Sequence, residues 1–463
     1  MIQIFFAILH LKKFGFMSEP KGALLLGTES VGKLLKKYAT PAIIAMTASS
    51  LYNMIDSIFI GHGVGPLAIS GLAITFPFMN LGAAIGAMVG VGASTVTAME
   101  LGKKNYKKSC RALANTVMLN VIFGIIFTVV CLAFLKPILF FFGASEQTLP
   151  YAYEYMQVIL VGNIITHLYH GLNSVLRASG HPNEAMVATI ITVLANIFLD
   201  WLFIFPLGMG IRGAAIATVI AQTIPLIYLF KIFSNKNELV HFDKEDFVFD
   251  IKIIKDILAI GLSPFLLNSM LCVIIILINT GLKKFGGDLS VGAYGIVNRV
   301  TFFFTMIVLG ITQGMQPIVS YNYGARQYDR VTEALKKSIL LAFVTLCIGC
   351  LIGELTPRFT CSLFTTDEEL LQYSIDGMRI VMCTFPIIAL PIVIGNFFQS
   401  IGKAKKSILL SLSRQVLFLT PLLIILPNII GIKGVWWSIP ISDAIATILS
   451  IIMIYRYFKF DSK

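Results

Sequence analysis

Charge is scarce in this chain. Only 13% of its 463 residues are Asp, Glu, Lys or Arg, while 57% are hydrophobic. A soluble globular domain carries about 25% charged residues, so a water-soluble fold is excluded. Cysteine is sparse as well: the seven are dispersed and mostly lie within apolar runs, which excludes a disulfide framework. Cys347 and Cys350 of "CIGC" have the spacing of a redox or metal pair. They lie in an apolar run without His or carboxylate support, so they are read as structural. No Walker motif, nucleotide-binding signature or enzyme motif is present, so neither ATP-driven transport by this chain nor an enzymatic activity is expected, and no cofactor.

What is abundant is apolar length. Mean hydropathy is +0.84, and 35 Phe are spread through continuous apolar stretches. Alternation at every second residue, the signature of a membrane barrel, is missing. An apolar helix needs about 20 residues to cross the hydrocarbon core, and the chain accommodates about twelve of them. They fall near 39–62, 67–99, 112–135, 150–176, 185–207, 211–233, 254–282, 290–322, 332–356, 368–398, 405–427 and 432–458. The expected fold is all-α, a polytopic membrane protein.

The net charge of +12 reports topology rather than nucleic acid. About 27 Lys and Arg fall on the side of the termini and even-numbered loops, about 6 on the opposite side and about 3 within spans. By the positive-inside rule both termini are cytoplasmic. The segment "MIQIFFAILHLKKFGF" has its basic residues after the apolar stretch, the reverse of a signal peptide. The natural start is expected at Met17, with a short interfacial helix as the alternative.

An internal repeat organises the chain. "LGKKNYKKSCRAL" (101–113) aligns with "YGARQYDRVTEAL" (323–335) at a spacing of 222 residues, matching Gly102 to Gly324 and Tyr106 to Tyr328. The same spacing pairs Tyr151 with Tyr373, Met156 with Met378 and Gly180 with Gly402. One residue short of it, "PLGMGIRG" matches "PNIIGIKG", with Arg212 facing Lys433. Six spans per repeat is an even number, so both copies have one orientation and are related by an axis along the membrane normal. The expected organisation is an N-terminal extension (1–30), a first six-helix lobe (31–233), a cytoplasmic linker (234–253) and a second six-helix lobe (254–463). A cavity between two such lobes, opening alternately to each side, points to a transporter.

A cavity changes what an intramembrane polar residue means, because it can face water or solute instead of lipid. Asn196 and Asp200, at i and i+4, share one face of the fifth span. Asp56 lies in the first span, Asn173 in the fourth and Thr218 in the sixth. Two carboxylates among amide and hydroxyl oxygens make a hard, oxygen-rich site suited to Na⁺ or a proton, or to a cationic solute directly. In the second half Arg299, Arg414 and Asp443 are intramembrane charges of both signs, so a self-neutralising Asp443–Arg pair is expected. His167 and His170 of "HLYH" lie one turn apart; a polar helix–helix contact and a metal site are both open. Glu100 reads as structural or gating at a cytoplasmic helix end. Prolines such as Pro225, Pro264, Pro317, Pro386 and Pro440 fall inside spans and suit elements that bend.

"TPAIIAMTASSLYNMIDSIFIG", "NSVLRASGHPNEAMVATIITVLANIFLDWLFIF" and "GMGIRGAAIATVIAQ" together resemble the MATE family, the multidrug and toxic compound extrusion transporters. The likeness runs from about Glu29 to about Lys459. It implies a twelve-helix secondary antiporter of two lobes, exchanging Na⁺ or H⁺ inward for organic, often cationic, compounds outward, in a bacterial inner membrane. A monomer surrounded by lipid is expected. The family's first-lobe cation site matches Asp56, Asn196, Asp200 and Thr218, with Asn173 beside it, and Pro41 matches the helix-one proline at which members bend. Some branches use acids in helices seven and ten; the seventh span here has none before Asp288, and Glu368, Glu369 and Asp376 lie toward the outer end of the tenth. The alternatives are a lipid-linked oligosaccharide flippase of the wider superfamily and, from another class, a multi-pass membrane enzyme acting on lipid.

Overall fold

The computed structural model describes residues 22–365 and 367–461; the question of a start at Met17 lies outside them. Apolar side chains cannot satisfy backbone polar groups, so a chain in lipid must bond its backbone within each segment. Helices do this throughout the described residues, which contain no strand. Six long helices make the first half: α1 (Val31–Gly63), α2 (Pro66–Gly102), α3 (Tyr106–Ala133), α4 (Leu149–Ala178), α5 (Pro182–Ile204) and α6 (Gly210–Phe233). The second half has α7 (Ile251–Gly287), α8 (Leu289–Gly324), α9 (Tyr328–Leu355), α10 (Glu368–Met382 with Phe385–Ser400), α11 (Ala404–Ile430) and α12 (Ile432–Lys459). Among the described residues, nine are long and apolar enough to cross a membrane unaided, and the bent α10 makes a tenth. The other two are α1 and α4, the helices with the most to hide. α1 carries Asp56 and three lysines, and α4 carries Asn163, His167, His170 and Asn173.

The repeat is visible in the backbone. Lys104 and Arg326, 222 residues apart, are the two non-glycine residues at positive φ (60° and 59°) among those described. Each sits in the turn before the third helix of its half, ahead of the capping positions Asn105 and Gln327. Gly180 and Gly402 repeat this at the fourth-to-fifth turn, with φ of 103° and 73°. Helix partners repeat too: α1 packs on α5 and α5 on α6, as α11 packs on α12.

The halves meet along α1, α2, α7 and α8. A Cβ on Gly102 would collide with the Tyr321 carbonyl, and one on Gly324 with the Met99 carbonyl. These two contacts exchange under the 222-residue repeat, so the pseudo-two-fold axis passes between them. Further along, Gly92 abuts Ile257 and Gly261 abuts Met88, while Gly310 abuts Ile43 and Gly314 abuts Ala39. The small residues let backbones approach closely where no hydrophobic force separates protein from lipid. Polar side chains complete the seam. Gln316 Nε2 donates to Ser94 Oγ (2.9 Å), Thr95 Oγ1 (2.8 Å) and the Val91 carbonyl (3.3 Å), and Arg177 donates to Gln313 Oε1. These contacts lie on the side where α1 begins and α12 ends, the terminus side, and hold the two halves together there.

Prolines interrupt fewer spans than expected. α1 and α6 continue through Pro41 and Pro225. Pro41 lies between Ala39 and Ile43, the two residues held against Gly314 and Gly310. The backbone breaks elsewhere. α10 bends by 52° before Pro386, and α11 widens into a π-helical stretch at Ser413–Leu419 just before Pro421.

Candidate functional site

α1 and α5 pack side by side and place their carboxylates face to face near the end of the first half remote from the seam. Asp56 and Asp200 lie within hydrogen-bonding reach of each other. Asp200 is fully buried and Asp56 is 7% exposed. One turn before Asp200, Asn196 donates through Nδ2 to Thr218 Oγ1 of α6 at 3.2 Å. Four of the five expected residues therefore meet.

Among the described residues neither carboxylate has a basic partner. Both oxygens of Asp200, Oδ1 of Asp56 and Oδ1 of Asn196 are buried with no donor. Two unit charges about 4 Å apart repel by about 4 kcal/mol at an effective dielectric of 20. Each carboxylate also loses hydration on burial, a cost on the order of several kcal/mol per ion. A proton or a metal cation between the two relieves both terms. The donors fit such a cation: two carboxylates, an amide oxygen and a hydroxyl are the hard ligands Na⁺ takes.

Asn173 lies apart from the cluster. Its Nδ2 donates to the Ala185 carbonyl (3.0 Å), and its Oδ1 accepts from Arg177 Nη2 (3.3 Å). It thus props the arginine that crosses the seam to Gln313. The reason is height. At 1.5 Å per residue, Asn173 stands about 27 Å along α4 from Tyr155.

Tyr155 and Tyr52 are the members that sequence reasoning missed. Both phenols lie within hydrogen-bonding reach of Thr218 and close to the two carboxylates. Tyr52 precedes Asp56 by four residues, one helical turn, and that spacing was a usable signal. Tyr155 comes from another helix and only tertiary packing reveals it. His167 makes a helix–helix contact, its Nε2 lying 2.9 Å from the Gly82 carbonyl of α2.

The second half is built differently. Arg414 pairs with Asp443 through Nε and Oδ1, as its opposite signs suggest, and Arg414 stands on the π-helical stretch of α11. Arg299 is exposed on α8 and takes no part in that pair. Glu100 accepts from Lys103 (2.9 Å) and Lys108 (3.1 Å) at the terminus-side end of α2.

The MatE family model matches residues 41–202 and 259–425, one segment in each half. The chain is 25% identical over 426 residues to the multidrug export protein MepA of Staphylococcus haemolyticus, covering 92% of this chain and 94% of that protein. It superposes with a TM-score of 0.90 on an outward-facing multidrug resistance MATE transporter of the MOP superfamily, at 25% identity over 96% of this chain and 99% of the other. The MATE multidrug transporter DinF-BH is 36% identical with a TM-score of 0.86, over 93% and 96% of the two chains. The family match, the repeat and the paired halves agree: the chain belongs to the MatE family of membrane transporters.

Proposed function

We propose that this protein exports organic cations in exchange for Na⁺ or H⁺, with Asp56 and Asp200 as the shared coupling site. The observation that carries this reading is the buried, unpaired carboxylate pair, which needs a positive charge to be stable. If inward-moving ion and outward-moving solute compete for that pair, each drives release of the other. MepA is a multidrug export protein and DinF-BH a multidrug transporter, which supports an organic substrate. The terminus-side seam supports alternating access, because breaking it is what opening toward that side requires. Pro41, set among the seam contacts of α1, is the proposed hinge. The protein is proposed to act as a monomer in the bacterial cytoplasmic membrane, termini inward, in line with the charge asymmetry.

The test is efflux of a fluorescent organic cation from cells expressing the protein, driven in turn by Na⁺ and H⁺ gradients. Efflux that follows one gradient and is lost in Asp200→Asn supports the reading and identifies the ion. Efflux that follows neither gradient would remove cation coupling.

A further inference from the structure

A groove on the outer wall of the first half takes no part in the carboxylate site. It runs between α4 and α6 with a volume of about 490 Å³, within the roughly 300–1,000 Å³ typical of ligand sites. Its walls are apolar, including Val161, Val219 and Ile220, and its floor is Gly162. A Cβ on Gly162 would collide with Val219, so the missing side chain both draws the helices together and leaves the depression. One end carries Arg212 and Gln157, both exposed. Arg212 makes no ion pair among the described residues, and no Asp or Glu lines the groove.

The dimensions match one leaflet. Arg212 is the third residue of α6 and Ile220 lies eight residues further in, about 12 Å along the axis. Half of a hydrocarbon core of about 30 Å is about 15 Å. Arg212 therefore sits at headgroup level on the side opposite the termini, and the groove ends near the bilayer midplane. An arginine on a lipid-facing wall is stable where its guanidinium reaches a phosphate, which it binds in bidentate geometry. Glu154, exposed one turn of α4 outward of Val158, makes no ion pair with Arg212; the groove's own lining carries a single charge, the positive Arg212, which favours a lipid of net negative charge.

We propose that this groove is a binding site for an anionic phospholipid of that leaflet, with an acyl chain along Val161, Val219 and Ile220 and its phosphate on Arg212. Val219 adjoins Thr218, so a bound chain braces α6 directly behind the carboxylate cluster.

Native mass spectrometry of the full-length protein in detergent, offered equimolar phosphatidylglycerol and phosphatidylethanolamine with identical chains, tests this. The expected result is a several-fold excess of phosphatidylglycerol adducts. Arg212→Gln abolishes that excess, Arg212→Lys keeps most of it, and Ile220→Trp lowers occupancy by both lipids. Lys433→Gln, the repeat-related basic residue, leaves it unchanged, and melting temperatures confirm that each variant is folded. Equal adducts of both lipids in the wild type, or an undiminished preference in Arg212→Gln, would overturn the proposal. So would loss of the adducts to excess inorganic phosphate, because that would mean an anion site without a seat for the chain.

Discussion

The two halves share a backbone plan and differ in their buried charge. In the first, α1 and α5 bring Asp56 and Asp200 together, and among the described residues no basic side chain pairs with either. In the second, Asp443, 3% exposed, is already paired with Arg414. A duplicated scaffold does not need identical chemistry in both copies. Under the proposed function, the half that leaves its carboxylates uncompensated is the one that exchanges a cation, and the half that neutralises itself serves as a fixed wall. The contrast teaches that two copies of a duplicated scaffold are told apart by which of their buried charges lack a partner.

The largest expected effect on transport lies in the first half. Asp200→Asn should lower ion-driven export by roughly 10- to 100-fold, the equivalent of losing a charged hydrogen-bonding partner worth about 1.5–3 kcal/mol. It should leave the melting temperature unchanged or raised, because it removes a repulsion. The second half should behave in the opposite way. Arg414→Met leaves Asp443 buried and unpaired and should cost about 3–5 kcal/mol of stability, read as a lower melting temperature. Adding Asp443→Leu should restore most of it while ion-driven export persists.

The seam comes next. Gln316→Leu removes an amide whose two N–H protons are shared among three acceptors across α2 and α8, a loss of about 2 kcal/mol at about 1 kcal/mol net per donor. Distances between spin labels placed on the terminus-side ends of α2 and α8 should broaden toward a separated population. A single unshifted distance would show that the glycine contacts alone close that side.

Outside the membrane, His181 is clamped between Glu184 Oε1 (3.2 Å) and Glu238 Oε2 (3.0 Å), tying the linker to the α4–α5 turn. Burial pulls its pKa down, but the hydrogen bonds and charges of Glu184 and Glu238 outweigh burial and raise it from 6.5 to about 9. A raised histidine pKa contributes stability that is complete below 6.5 and lost as pH rises through about 9. Hydrogen exchange in residues 234–250 should therefore accelerate beyond its intrinsic pH dependence over that window, and His181→Gln should flatten the excess. The smallest effect is expected from Tyr52→Phe, which removes one phenol near Thr218. A loss of about 0.5–1.5 kcal/mol, roughly three- to tenfold in cation affinity, is the expected size.

The helices, their order and the repeat were legible in the sequence because each is a local property: apolar length, charge between spans, and turns such as "GKKNY" and "GARQY". Asp56, Asn196, Asp200 and Thr218 were legible because a polar side chain inside an apolar run stands out whatever it touches. What the sequence could not convey was height and facing. Asn173 was grouped with the site by residue type, although its place along α4 puts it beside Arg177. Tyr155 and the seam partners of Gln316 are joined by tertiary packing across long stretches of chain, and no periodicity encodes such pairs.

The central claim is that the carboxylates of the first half exchange a cation for substrate while those of the second do not. The most direct measurement titrates an organic cation into purified protein in weakly buffered solution and follows protons released or radioactive Na⁺ displaced. Wild type, Asp200→Asn and the Arg414→Met/Asp443→Leu double variant would be compared. Release of one of the two ions in the wild type and the double variant, and of neither in Asp200→Asn, is the predicted result. Equal release in Asp200→Asn, or its loss in a folded double variant, would contradict the account.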